Sequence, residues 1–239
     1  MSVPPKADGG TAVPRRRAGR PSSAVLDRAH ITTAALGIVS ERGYPALTMA
    51  ALARQLGVSP SALYNHASSK QEVLQWVQER VMSGVDSSGF GQEPLREALR
   101  RWARSYRDVF AEHAPLIPVV AVLPVAGSPR TLRMYEAVAE GLSTEGWHPE
   151  RIVPAIVALE SFIFGSALDA TAPLDILDPG QHASALPVFA GALQAQRATG
   201  AGPADTAFEL GLDALLTGLL GQASRARAPR RAVRGAGAR

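Results

Sequence analysis

The stretch from Thr48 to Lys70, TMAALARQLGVSPSALYNHASSK, constrains this chain most, because residue type and spacing together fix two short helices and the turn between them. Leu52, Leu56, Val58 and Leu63 are spaced to close one apolar seam between steeply crossing helices, and Ala53 is small enough to let the backbones approach. Gly57 stands where the first helix must stop in a left-handed conformation, which is nearly free for glycine and costly for a residue with a Cβ. Ser59 then offers an oxygen to the free N–H groups of the next helix, and Pro60 takes its first position, where a missing N–H costs nothing. The spacing predicts a second helix over Pro60–His66, roughly 10 Å long, which fits a DNA major groove about 12 Å wide.

The outward positions of that helix, Ser61, Ala62, Tyr64, Asn65 and His66, are short, polar or aromatic, unlike the Glu/Lys mixture of a merely solvated face. Asn65 suits an adenine edge, Ala62 a thymine methyl, and Tyr64 and His66 phosphate oxygens. A helix corner centred on glycine also serves small helical domains that bind no nucleic acid. Ser69 and Glu72 are spaced as a capping box, so a third helix begins at Lys70. An ammonium beside a helix N-terminus is poor electrostatics for the protein alone but suits a phosphate.

The segment GYPALTMAALARQLGVSPSALYNHASSKQEVL resembles the DNA-binding domain of the TetR family of transcriptional regulators, and the likeness extends back through ITTAALGIVSERG, the family's first helix. The resemblance implies DNA contacts from Thr48, Pro60, Ser61, Ala62, Tyr64, Asn65, His66 and Lys70; Ser59, at the helix entry, is placed with them. Ala67 departs from the Phe that many members carry after the His. Further on, SPRTLRMYEAVAEGLSTEGW, ALPVFAGAL and FELGLDALLTGLL look like the C-terminal domain of the tetracycline-repressor subfamily, so the likeness spans about residues 22–222. It implies an all-α protein: an N-terminal three-helix DNA-binding domain and a larger C-terminal helical domain for ligand binding and dimerisation.

Net charge is +4, unevenly placed. Residues 1–24 hold five basic and one acidic residue, and residues 223–239 hold six arginines and no acid. Residues 25–89 balance at five of each sign, whereas residues 90–222 hold nine basic against fifteen acidic. A neutral reading head, an acidic body and two basic arms follow, and the body should face away from a polyanion. The absence of cysteine excludes disulfides and thiolate chemistry and suits a reducing cytoplasm. No run approaches the 18 or so apolar residues of a membrane helix, and no signal pattern opens the chain, so a soluble intracellular protein is expected.

Along the chain, residues 1–21 read as a disordered basic arm. Arg17 and Arg20, within RRRAGRP, suit an extended arm in a narrow minor groove, and equally a solvated tail. Ser23 to Arg42 repeats apolar residues at three and four and ends at Gly43. Gly84 to Gly91 breaks the pattern and sets the boundary between a DNA-binding domain over 22–84 and a body over 90–222. Helices are expected over about 92–112, 115–123, 129–145, 149–170, 182–197 and 204–222, with a disordered Arg-rich tail over 223–239. The last two long helices carry Ile156, Leu159 and Ile163, then Phe208, Leu212, Leu215 and Leu219. A helix apolar on every side is buried on every side, either as the core or under a second chain. Family pairing through these helices favours a homodimer, and with it a palindromic operator whose half-sites lie about one DNA turn apart.

No catalytic constellation is present: the five histidines are scattered, and no P-loop, dinucleotide fingerprint or nucleophile elbow appears. No enzyme activity, cofactor or metal is therefore expected. Trp102, Tyr106 and Phe110 recur every fourth residue and, with His113, Met134, Phe162 and Phe164, suit an effector pocket, or else plain core. The stretches around Asp86 and Val122 hold no histidine where the tetracycline repressor holds its Mg-bound drug, so neither tetracycline nor magnesium is expected. The reading is a cytoplasmic regulator, a repressor released from double-stranded operator DNA by a small apolar or amphipathic effector. The alternatives are an activator or ligand-independent regulator with the same head, and a helical small-molecule-binding dimer without specific DNA binding.

Overall fold

The computed structural model describes residues 26–227, with side chains to residue 221, and every regular element among them is helical. The expected arm with Arg17 and Arg20, and the tail beyond residue 227, lie outside the described residues.

Helix α1 spans Arg28–Arg42. It starts where the Asp27 carboxylate accepts from the His30 N–H at 2.9 Å, a few residues later than the sequence pattern places it, and ends at Gly43 with φ 76°. Ile31, Ala35, Ile38 and Val39 are buried on its inner face. Helices α2 (Met49–Leu56) and α3 (Pro60–Tyr64) cross over fully buried Leu52, Ala53 and Leu63, with Leu56 and Val58 half-buried at the rim. Helix α4 (Lys70–Met82) buries Val73, Leu74, Val77 and Val81, packs along α1, and continues to contacts with the body.

The body comprises α5 (Leu95–Glu112), α6 (Ile117–Val120), α7 (Pro129–Thr144), α8 (Pro149–Asp169), α9 (Pro187–Ala198) and α10 (Pro203–Arg227). Pro129, Pro149, Pro187 and Pro203 each open their helix, the position where a fixed φ helps and no N–H is missed. Helix α5 lies at the centre, packed by α4, α7, α8 and α10. Its buried stripe is Leu99, Trp102, Tyr106 and Phe110. A second edge of α5 carries arginines that clamp α10: Arg96 and Arg100 meet Asp213 at 2.7 and 2.8 Å, Arg104 meets Glu209, and Arg107 meets Asp205 at 2.6 Å.

Three expectations need correction. Within the single chain α10 buries one face, with Phe208, Leu212 and Leu216 inward, while Leu210 is 74% exposed beside open Ala207, Ala214 and Gly218. It also runs to Arg227, past the end expected at residue 222. Ile156, Leu159, Ile163, Phe208 and Leu212, assigned from sequence to a dimer interface, lie in this chain's own core at 5% exposure or less. A side chain enclosed by its own chain has no surface to offer another, and the apolar stripe of each helix is already satisfied against α5. Leu215 and Leu219 are half-buried and remain available. The faces left open on α8 carry Val153, Val157, Ser161, Gly165 and Leu168 instead. Finally, α8 is by length and composition long and apolar enough to cross a membrane, although no such run was evident in sequence; here it packs on α5, α7 and α10.

Candidate functional site

The helix-turn-helix is built as its sequence dictates. Gly57 adopts φ 67°, ψ 27°, with its N–H donating to the Arg54 carbonyl at 3.1 Å and the next N–H, of Val58, to the Ala53 carbonyl at 3.0 Å. These paired bonds close α2 with a Schellman turn, which needs the left-handed residue glycine supplies. Ser59 Oγ accepts from the Ala62 N–H at 3.2 Å and caps α3 with Pro60 at its first position. Thr48 caps α2 in the same way, its Oγ1 accepting from the Ala51 N–H at 3.0 Å.

The helix α3 stops at Tyr64, two residues short of the predicted end, and Asn65 and His66 follow in a turn closed by the His66 N–H on the Leu63 carbonyl. Ser59, Pro60, Ser61, Tyr64, Asn65 and His66 are all exposed, as is Thr48, while Ala62 is half-buried. A Tyr at 52% exposure beside an exposed Asn is a poor way to finish a solvated corner and a good way to meet base edges and phosphates. Ala67, which takes the place of the Phe that the resemblance implies, is fully buried.

The start of α4 differs in detail from a simple capping box. Ser69 Oγ accepts from the Glu72 N–H at 3.1 Å as expected, but the Glu72 carboxylate reaches back to the N–H and hydroxyl of Ser68, both at 2.7 Å, rather than to Ser69. Those bonds hold the Glu72 carboxyl below its ordinary value. Lys70 is held as well: its Nζ stands 3.8 Å from the centre of the Tyr44 ring, a cation–π contact that sets the ammonium beside the reading head.

The residues expected to line an effector pocket divide into two groups. Trp102, Tyr106, Phe110 and Phe164 form one continuous aromatic cluster, with Tyr106 ring-to-ring with Trp102 at 5.6 Å, Phe110 at 5.2 Å and Phe164 at 5.5 Å. Met134 is buried, and His113 at the end of α5 has a buried Nδ1 without a hydrogen-bond partner. Phe162 stands apart, stacked on Phe208 of α10 at 5.6 Å with the Arg107 guanidinium above that ring. Residues two apart on a helix point in nearly opposite directions, so Phe162 and Phe164 cannot line one site from the same side.

Sequence reading missed the polar centre of the cluster. The phenols of Tyr106 (α5) and Tyr135 (α7) both donate to Oε1 of Glu160 (α8), at 3.0 and 2.8 Å. Burial pushes the Glu160 carboxyl up, partly offset by the two phenols, and burial beside this carboxylate raises both tyrosines. The available signal was a lone acid inside the apolar run IVPAIVALESFIFGSAL. Among the described residues no three His, Cys, Asp or Glu side chains converge as a metal site.

Comparison with known proteins agrees with the all-helical fold and its N-terminal helix-turn-helix. Residues 31–77 match the family of bacterial regulatory proteins called tetR, and residues 89–223 match the tetracyclin repressor-like C-terminal domain. The HTH-type transcriptional repressor DrrR1 of Streptomyces coeruleorubidus is 26% identical over 153 residues, covering 64% of this chain and 56% of that protein, so the match spans little more than half of DrrR1. The tetracycline repressor protein class G of Vibrio anguillarum is 29% identical over 153 residues, covering 60% of this chain and 69% of that one. The crystal structure of the TetR family protein ActR of Streptomyces coelicolor in complex with actinorhodin superimposes with a TM-score of 0.69 at 26% identity, covering 85% of this chain and 99% of that chain. With the C-terminal match alone taking in more than half of the residues, the chain belongs to the tetR family of bacterial regulators.

Proposed function

We propose that this protein is a cytoplasmic repressor of transcription that binds a palindromic operator as a homodimer and is released when a small molecule enters its helical body. The observation that carries the reading is the exposed row Ser61, Tyr64, Asn65 and His66, held on the capped helix α3 and the turn that closes it, with Thr48 and Lys70 at its flanks. Helix α4 runs from that head into contacts with α5 and α7, so a displacement in the body has a rigid element through which to reach the head. The names of relatives support repression and effector binding: DrrR1 is a repressor, and ActR is crystallised with actinorhodin.

Dimerisation is assigned to the open faces of α8 and α10. These helices pack side by side, and Val153, Val157, Gly165, Leu168, Leu210, Ala214 and Gly218 leave a surface of small and apolar residues suited to close approach of a second copy. Residues 22–84 serve as the reading domain and 90–222 as the effector and dimerisation domain. The protein acts by binding, without catalysis.

Selection of bound sequences from a random duplex pool by the purified protein tests this reading. A palindrome with half-sites about one helical turn apart is the expected outcome. Binding that depends on salt but yields no consensus would leave only nonspecific attraction to phosphate and overturn it.

A further inference from the structure

The effector reading above leaves the ligand's chemistry open, and the cluster around Glu160 narrows it. Three helices deliver Tyr106, Tyr135 and Glu160 to one point, and both phenols address the same carboxylate oxygen. Among the described residues no Lys, Arg or His forms an ion pair with Glu160. The arginines of α5 are committed elsewhere, Arg101 to Glu93 and the others to Asp205, Glu209 and Asp213 of α10. A largely enclosed carboxylate with hydrogen bonds but no counter-charge is expensive to maintain, and a fold that needed only packing would place an amide or an apolar residue there.

The surroundings indicate what supplies the missing charge. Phe110 and Phe164 stand 5.1 Å apart with Tyr106 against both, so an aromatic cluster adjoins the carboxylate through the Tyr106 phenol, and an ammonium beside it can gain from ring quadrupoles as well as from the anion. Glu160, Tyr135 and Phe164 each keep part of their surface accessible, so this edge of the cluster is not sealed from solvent. An anionic head group would meet an uncompensated carboxylate, and a neutral one would leave the charge unpaired.

We infer that Tyr106, Tyr135 and Glu160 form the head-group subsite of the effector pocket and select an apolar compound carrying a protonated amine. This rests on the proposed effector-responsive function. Glu160 supplies the charge, the two phenols fix the orientation of its carboxylate, and Phe164 offers a ring face to the apolar part.

The test uses the full-length protein and a matched pair of probes, 1-naphthylmethylamine, protonated at neutral pH, and 1-naphthalenemethanol, which has nearly the same shape and no charge. Calorimetric titration of the wild type should show the amine binding about tenfold or more tightly than the alcohol, the margin of a charge-assisted over a neutral hydrogen bond. In Glu160→Gln, which keeps the size and an acceptor oxygen, that preference should collapse to near equality. Equal binding of the two probes, binding of neither, or an amine preference that survives Glu160→Gln overturns the assignment. The wild-type comparison decides without any variant, so a poorly folded Glu160→Gln leaves the question answerable. Operator binding by the same preparation without probes reads the regulatory function separately: if it persists while the amine preference is absent, the subsite fails and the repressor reading stands.

Discussion

Ser128 Oγ donates to Oε1 of Gln78 across 2.9 Å, with both side chains buried, and so ties α4 to the residue that precedes α7. The neighbouring Glu79 carboxylate accepts from the Arg130 N–H at 2.6 Å, at the start of α7 where a negative charge is favoured. One turn earlier, Gln75 lies so close to Gly127 that a Cβ there would overlap its amide. The helix that leaves the reading head is therefore gripped by one short stretch of the body.

Ser128→Ala should leave the Gln78 acceptor buried without its donor, at a cost of about 1–3 kcal/mol. Chemical denaturation of wild type and variant measures it. Because the bond joins head-bearing α4 to the body, the same variant should change how strongly an effector weakens operator binding.

Gly57→Ala tests the turn of the reading head. Nothing lies within 4 Å of a Cβ built there, so the cost is conformational alone, about 1 kcal/mol for a residue with a side chain at φ 67°. Asn, which tolerates this region better, should cost less than Ala or Val. Thermal melting of the three variants ranks them; a Val variant as stable as wild type would contradict the assignment.

Asn65→Ala should cost about 1–3 kcal/mol at the operator and relax preference at one base position. Lys70→Ala should weaken all sequences alike and lower the salt slope by about one. Binding to a set of single-base operator variants at several salt concentrations separates the two kinds of contact.

Arg104 holds Glu209 through two bonds, from Nε at 2.6 Å and Nη2 at 2.7 Å, and these bonds keep the Glu209 carboxyl below its ordinary 4.5. A carboxyl held lower when folded adds stability in full above its unfolded value and loses it as pH falls through the folded value. Glu209→Gln should therefore be less stable than wild type at neutral pH, by no more than about 1 kcal/mol for so exposed a pair, with the difference fading below pH 4.5. Melting curves across the acid range measure it.

Glu160 has the opposite sign. Burial raises its carboxyl above the ordinary 4.5, so the folded state holds the proton more tightly and stability falls as pH rises from that value through the folded one. Glu160→Gln removes the dependence. Wild type measured against this variant should lose stability on going from acid to neutral pH; a flat difference would mean the carboxyl is not raised.

The reading head was legible in the sequence because each of its devices is local. Gly57, Ser59, Pro60 and Ser69 act on backbone groups within a few residues, so the turn, both caps and the exposed row of α3 follow from residue order alone. The helical body was legible for the same reason, through its periodicity and its opening prolines. Which face of α8 and α10 turns inward was not, since a helix apolar on several sides satisfies its pattern in more than one orientation. The tertiary structure chose by setting the arginines of α5 against the acids of α10 more than 90 positions away, which turned Phe208 and Leu212 inward and left Leu210 outside. It also separated Phe162 from Phe164 and brought Tyr106, Tyr135 and Glu160 together from three helices, since contacts between distant segments depend on how whole helices cross.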